Sequence, residues 1–166
     1  PLLFVDLALI LSRRYPGRFT FLIQGDGVLE REVDERISRH HLTKQVERRP
    51  WGSAADFYRD TDILVITSDN EGLTLTSLEA DEAGLLVISS DVGSQRTVIA
   101  SEALMPIPPT AFLRKAVPTL HRLAVDTAFQ QSLRQSQRSL ATALRTVPSA
   151  TDFYRETLEV LKKGVA

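Results

Sequence analysis

The stretch from Asp62 to Ile88, DILVITSDNEGLTLTSLEADEAGLLVI, constrains the fold more than any other part of the chain. Its first run, Ile63 to Ile66, is apolar at every position, which fits a parallel strand buried on both faces better than one with a wet side. Thr67, Ser68, Asp69 and Asn70 then supply turn and cap formers. Glu71 and Gly72 lead into a predicted helix with Leu73, Leu75, Leu78, Ala80 and Ala83 as apolar positions and Gly84 as its stop. A second apolar run, Leu85 to Ile88, returns to the sheet. Strand, acidic turn, helix, strand is a right-handed crossover unit, so the turn and the helix N-terminus fall at the carboxyl edge of a parallel sheet, where open α/β sheets bind ligands.

With 166 residues and 43% hydrophobic composition the chain can bury a core as one domain, and no segment is apolar for long enough to span a bilayer. It contains no cysteine, which excludes disulfides, thiolate catalysis and cysteine–metal sites. His40, His41 and His121 stand at no metal-ligand spacing, so no metal site is expected. The formal net charge is −1, but from Asp60 to Glu102 nine acidic residues face one basic residue, Arg96. A surface of that sign argues against nucleic acid as a partner. The chain opens on Pro1 and enters LLFVDLALI at once, which reads as a chain cut from something longer and not as a signal peptide.

Taken in order, Leu2 to Arg14 reads as a helix packed on a sheet, and Phe19 to Gln24 as a strand ending at Gly25-Asp26-Gly27. Glycines at that turn suit either an ordinary strand-to-helix connection or close backbone approach to a ligand, with Asp26 capping a helix that carries Val28, Leu29, Val33 and Ile37. His40 and His41 close that helix. Gln45 to Arg49 forms a short strand before Pro50-Trp51-Gly52, where Trp51 suits stacking on a nucleotide base or packing in the core. Ser53 and Asp56 have capping-box spacing for a short helix through Phe57 and Tyr58. Beyond Ser89-Ser90-Asp91-Val92-Gly93-Ser94, Val98 to Ala100 and Leu104 to Ile107 complete the sheet. A helical tail follows: about 111–124 with a kink or break at Pro118, about 127–145 with a stripe of Phe129, Leu133, Leu140 and Leu144, and about 151–163. The whole is an α/β fold, a Rossmann-like parallel sheet flanked by helices with a helical C-terminal tail.

If the central helix begins near Gly72, Glu71 precedes its first turn and Glu79 lies two turns in, about 10 Å along the axis. The N–H groups of Gly72, Leu73, Thr74 and Leu75 would then point out of the helix end as a phosphate site. Carboxylates on either side do not bind phosphate but accept hydrogen bonds from hydroxyls, so an elongated ligand with sugar, phosphates and ribose would use all three features. Taken alone, the two glutamates are better explained as a complement to the helix dipole and a solvated face, and their spacing does not outweigh that reading.

In context they are not alone. The run SDNEGLTLTSLEADEAGLLVISSDVGS, Ser68 to Ser94, resembles the donor-binding region of family-4 glycosyltransferases of the GT-B fold, whose pattern is S-x-x-E-G-x(6)-E-A, then G-x-P-V-[IV], then a loop near D-x-G-G-x-x-E. Glu71, Gly72, Glu79, Ala80, Gly84, Val87 and Gly93 match. Upstream, Gly25-Asp26-Gly27 is similar to the family's G-x-G turn, Pro50-Trp51-Gly52 to the loop after its next strand, and Phe57 to Asp62 to the short helix that ends in its A-D-[IV] strand entry. The departures are Leu86 for proline, Ser94 for the second glycine, Thr97 for the loop glutamate and Arg96 for a common proline.

The resemblance implies one half of a GT-B enzyme: a single nucleotide-sugar-binding domain over 1–166, with an α/β unit to about 109 and the tail from 110. It implies a retaining transfer of sugar from a nucleoside-diphosphate sugar to a glycan, lipid or small-molecule acceptor. Glu71 would contact the transferred sugar as the catalytic carboxylate, and Glu79 the ribose hydroxyls. The amides of Gly72 to Leu75 would face the phosphates, and the Gly25 turn and Arg49 to Trp51 would lie near the base. The nucleotide sugar is then the donor substrate, with no cofactor and no metal, in a cytoplasmic enzyme that can also meet the inner face of the membrane. An N-terminal acceptor domain, and a strand with a G-R-x(n)-K-G loop whose cations balance the diphosphate, are expected upstream of Pro1, so the fragment alone is expected to be inactive. Two other classes fit parts of the chain. The substitutions at Leu86, Ser94 and Thr97 suit a noncatalytic Rossmann-like binding module. A flavodoxin-like receiver is disfavoured because no lysine occurs between Lys44 and Lys115, and a P-loop enzyme because no G-x(4)-G-K-[ST] occurs.

Overall fold

A computed structural model describes residues 1–72, 75–147, 151, 155, 158 and 159. Helix α1 (Leu2–Arg14) precedes strand β1 (Phe21–Gln24), its Phe4 ring edge-on to Phe21 at 6.1 Å between centroids, and α2 (Glu30–Arg39) leads to β2 (Val46–Arg49). A short α3 (Ala54–Arg59) precedes β3 (Ile63–Ile66), α4 (Leu75–Glu82) and β4 (Leu86–Ser90). After two 3₁₀ turns come the two-residue β5 (Leu104–Met105), α5 (Pro109–Val125) and α6 (Thr127–Arg145). All strand pairs are parallel, as crossover helices between strands require. The predicted helix over 151–163 falls mainly outside the described residues.

The strands form two sheets, β1-β2 and β3-β4-β5, where one continuous sheet was expected. β1 has β2 on one side only, and β3 has only β4. A cavity of ≈ 460 Å³ lies between the sheets under α1, lined among others by Leu7 and Leu11 of α1, Phe21 and Leu22 of β1, and Ile63 and Val65 of β3. Hydrogen bonding tells which backbone groups face it. Phe21 and Gly25 donate to Gln45 and Arg49 on the β2 side, and Leu86 donates to Asp62 on the β4 side. The alternate residues Leu22, Ile63 and Val65 therefore turn their backbone groups toward the cavity. The same edge corrects the expected burial of β3. Only Leu64 is buried, while Ile63, Val65 and Ile66 are half-buried. In β4, with strands on both sides, every residue is buried.

Other expectations meet tertiary packing. Asp26 does not cap α2: the N-cap is Leu29 without a side-chain bond, Val28 is fully exposed, and the Glu30 N–H donates to the Gly27 carbonyl. Only Val33 and Ile37 of that predicted stripe reach the core. Val98 to Ala100 is buried but forms no strand, since it lies between two 3₁₀ turns, and β5 stops at Met105. Pro118 does not break α5. Ala116, Val117 and Leu120 around it are buried, and the Thr119 hydroxyl bonds the Lys115 carbonyl at 2.8 Å, so packing and a side-chain bond support the helix across the missing N–H. Ser53 caps α3 as its spacing predicts, accepting from the Asp56 N–H at 3.3 Å. Among the described residues no helix is long and apolar enough to cross a membrane.

Asp126 joins the last two helices. Its backbone N–H closes α5 on the Arg122 carbonyl, while its carboxylate caps α6 by accepting from the Phe129 N–H at 2.9 Å and from Arg122 at 3.1 Å. The Phe129 amide first, then Arg122, holds the Asp126 carboxyl below its ordinary range. A depressed folded pKa contributes stability above the unfolded value that disappears as pH falls through the folded one. Asp126→Ala is therefore expected to lower Tm at neutral pH, and the gap from wild type should close on acidification below the ordinary aspartate range. Thermal melts across pH check this; a gap that persists in acid would refute the carboxylate's part.

Candidate active site

Four loops meet the carboxyl ends of the strands, and hydrogen bonds join them in two pairs. In the first pair, Gly25 donates its N–H to the Arg49 carbonyl at 3.0 Å, and the Gln24 side-chain amide donates to the Gly52 carbonyl at 3.2 Å. Gly25 has φ +110°, a backbone conformation that favours glycine, and the Trp51 ring lies at ordinary contact distance, 3.7 Å, from where a Cβ would stand. Trp51 itself is 80% exposed, which removes the core-packing reading and leaves an aromatic face open to solvent. The Arg49 guanidinium is not free. It bonds Glu47 and Asp60, both at 2.7 Å, and these two carboxylates, Glu47 first, raise its pKa above the ordinary value. Its carbonyl is engaged as well, by the Gly25 N–H, so Arg49 is held within the fold at both its side chain and its backbone.

In the second pair, the loop after β4 grips the turn after β3. The Ser90 hydroxyl donates to the Ser68 carbonyl, and Ser94 donates both its N–H, at 3.2 Å, and its hydroxyl, at 2.9 Å, to the Gly72 carbonyl. Gly93, at φ +53°, lies so close to this turn that a Cβ would come 2.7 Å from the Gly72 carbonyl oxygen and nearer still to that of Glu71. Beneath the loop, the buried Ser77 of α4 bonds the buried Gln95 at 2.9 Å. Arg96 bridges to both oxygens of Asp91, and that carboxylate raises the guanidinium pKa. The departures from the family pattern thus have structural partners: Ser94 holds Gly72, the Thr97 hydroxyl bonds the Ser94 carbonyl at 2.6 Å, and Leu86 is fully buried in β4.

Glu71 and Gly72 stand in this clamped turn, Glu71 half-buried and Gly72 exposed. Leu73 and Thr74 lie outside the described residues. Helix α4 is described from Leu75, with Glu79 about one turn beyond that residue, and Leu75, 61% exposed, points away from the core. Ala83 is exposed as well, beyond the end of the helix. Glu79 is exposed and accepts a hydrogen bond at 3.0 Å from Tyr58 of α3. Partial burial first, then Glu79, pushes the Tyr58 phenol up to about 12. Nothing local in the sequence signals this contact, because its partners lie on separate helices 21 residues apart. Among the described residues no group of three or more His, Asp or Glu could hold a metal ion.

The family model for glycosyl transferases group 1 matches residues 2–122, which contain all four loops and both glutamates. The chain belongs to the glycosyl transferases group 1 family. The chain is similar to the UDP-N-acetylglucosamine–peptide N-acetylglucosaminyltransferase GtfA subunit of Streptococcus parasanguinis, 30% identical over 56% of this chain and 19% of that protein's length. The amylovoran biosynthesis glycosyltransferase AmsD of Erwinia amylovora is 34% identical over 42% of this chain and 20% of its own. The chain spans about a fifth or less of the curated relatives it matches. Among solved structures, the pneumococcal O-GlcNAc transferase GtfA in complex with UDP and GlcNAc superposes with a TM-score of 0.72 at 21% identity, over 98% of this chain and 32% of that one. The C-terminal domain of the group 1 glycosyl transferase LpcC from Francisella tularensis gives 0.69 at 23% identity, over 88% and 79%. This group 1 chain therefore has the α/β architecture of the GT-B glycosyltransferases.

Proposed function

We propose that the chain is the donor-binding half of a family-4, retaining glycosyltransferase that moves a sugar from a nucleoside-diphosphate sugar to a glycan, lipid or small-molecule acceptor. The observation that carries this reading is the clamp on the Glu71–Gly72 turn. Two bonds from Ser94 and the close approach of Gly93 hold that turn at the carboxyl edge of the parallel sheet, with α4 following it. A preorganised turn of this kind can orient a donor and meet charge on a departing nucleoside diphosphate without rearranging. Glu71 then contacts hydroxyls of the transferred sugar, and Glu79 the ribose. The amides of Gly72 to Leu75 face the phosphates, and Gly25 and the segment from Arg49 to Trp51 border the base. The reaction uses no metal or other cofactor, and its donor side is cytoplasmic.

The whole protein carries an N-terminal acceptor half and, before α1, a strand whose following loop supplies cations to the diphosphate. The cavity bordered by the backbone of Leu22, Ile63 and Val65 supports this, because a parallel strand lying between β1 and β3 would pair both edges and join the two sheets. The nucleotide-binding test uses the whole protein with UDP, GDP and ADP, followed by ligand-observed NMR. One nucleotide is expected to bind, about tenfold or more weakly in Glu79→Ala. In Glu71→Ala binding should persist while sugar transfer is lost. Binding of no nucleotide, or equal binding in wild type and Glu79→Ala, would return the chain to the noncatalytic binding-module reading.

A further inference from the structure

We propose that Tyr58 is a positioning residue that sets the Glu79 carboxylate for a vicinal diol, and so contributes to discrimination between ribose and deoxyribose nucleotides. The proposal rests on the reading of Glu79 as the ribose-binding residue.

Glu79 lies on the exposed side of α4, where a glutamate side chain ordinarily samples many rotamers and must be ordered by whatever it binds. Tyr58 is placed to remove that freedom in advance. Its ring is partly buried against the core and stands edge-on to Phe57 at 5.9 Å between centroids, so the hydroxyl is carried on a side chain that is itself packed. The hydroxyl donates to Oε2 of Glu79 at 3.0 Å. An ionised carboxylate offers about four lone-pair positions, of which this bond uses one. Oε1 keeps both of its positions and Oε2 one, enough to accept from two adjacent hydroxyls. The bond from Tyr58 also spans α3 and α4, the helices that follow β2 and precede β4, and it ties the diol-binding carboxylate to the side of the site where Trp51 and the Gly25 turn lie. A ligand meeting a carboxylate already oriented loses less conformational freedom on binding than one that must order it.

Tyr58→Phe keeps the ring and its packing and removes only the donor. The test measures dissociation constants of the whole protein for whichever of UDP, GDP and ADP binds most tightly, and for its 2′-deoxy form, in wild type, Tyr58→Phe, Glu79→Ala and the double variant. Wild type should prefer the ribose form. Tyr58→Phe should weaken the ribose nucleotide about three- to tenfold and leave the 2′-deoxy form nearly unchanged, so that discrimination narrows. In the Glu79→Ala background the same change should do nothing further. A ring that merely packs would shift both nucleotides alike or neither. Unaltered discrimination in Tyr58→Phe, with Glu79→Ala still defective, overturns the positioning role alone. A Glu79→Ala variant that discriminates as wild type does, or a wild type that binds none of the three, overturns the ribose reading beneath it and the positioning role with it.

Discussion

Replacing Gly93 with alanine is expected to lower stability by about 3 kcal/mol and to abolish nucleotide binding. Two costs combine. At φ +53° a side chain pays roughly 1–2 kcal/mol for left-handed backbone. In addition, the new Cβ would meet the backbone oxygens of both Glu71 and Gly72, and backbone cannot swing aside as the end of a flexible side chain can. Relief of that overlap must move the loop after β4 away from the turn after β3. This breaks the two bonds from Ser94 to Gly72 and displaces the Glu71–Gly72 turn, whose backbone from Gly72 onward is the part proposed to face the phosphates. At the scale of a domain this size, the stability loss corresponds to a Tm lower by about 6–12 °C. Gly84→Ala supplies the control. Gly84 is also left-handed, at φ +82°, but its nearest neighbour lies 4.0 Å from a Cβ and is the end of an arginine side chain. It should lose only the conformational part, about 1–2 kcal/mol, and bind nucleotide as wild type does. Equal effects of the two substitutions on binding would dismiss the clamp.

Gln137→Leu is expected to cost about 2–6 kcal/mol by a different route. β5 is only two residues long and pairs with Ser89 and Ser90, so the outward backbone groups of Val87 have no strand beside them. The buried Gln137 of α6 takes the place of that strand. Its side-chain nitrogen donates to the Val87 carbonyl at 2.6 Å, and its oxygen accepts from the Val87 N–H at 3.2 Å. Leucine fills nearly the same volume but leaves both backbone groups buried and unpaired, at about 1–3 kcal/mol each. Chemical denaturation of the two proteins measures the difference, and a change below about 0.5 kcal/mol would mean that another partner satisfies Val87. Arg134 and Arg145 of the same helix also reach back, to the Gly84 carbonyl and to Glu82, so α6 is attached along the length of the α4–β4 connection.

Much of this architecture is written locally. The alternation of apolar runs with helical stripes marks the parallel α/β class. The limits of α1 and α6 follow from where those stripes stop, at Arg14 and Arg145. The turn at Ser68 to Gly72 is marked by residue type alone, and the pattern that follows it leads to the family that residues 2–122 match. Each of these signals is carried by a few consecutive residues whose intrinsic preferences agree with their place in the fold.

The remainder depends on partners far apart in the chain. Periodicity marks β3 as apolar but does not say whether a strand lies on both sides of it, so its half-burial and the gap between the two sheets appear only in three dimensions. Pro118 reads as a break because propensity sees one missing N–H, whereas the packing of Ala116, Val117 and Leu120 outweighs it. The bond between Tyr58 and Glu79, the bonds of Ser94 to Gly72 and the service of Gln137 to Val87 join residues 21, 22 and 50 apart. Residue type and spacing identify which groups can form such contacts. Which of them meet is decided by the tertiary packing, because a hydrogen bond needs partners within about 3 Å and a local pattern holds no information about distant neighbours.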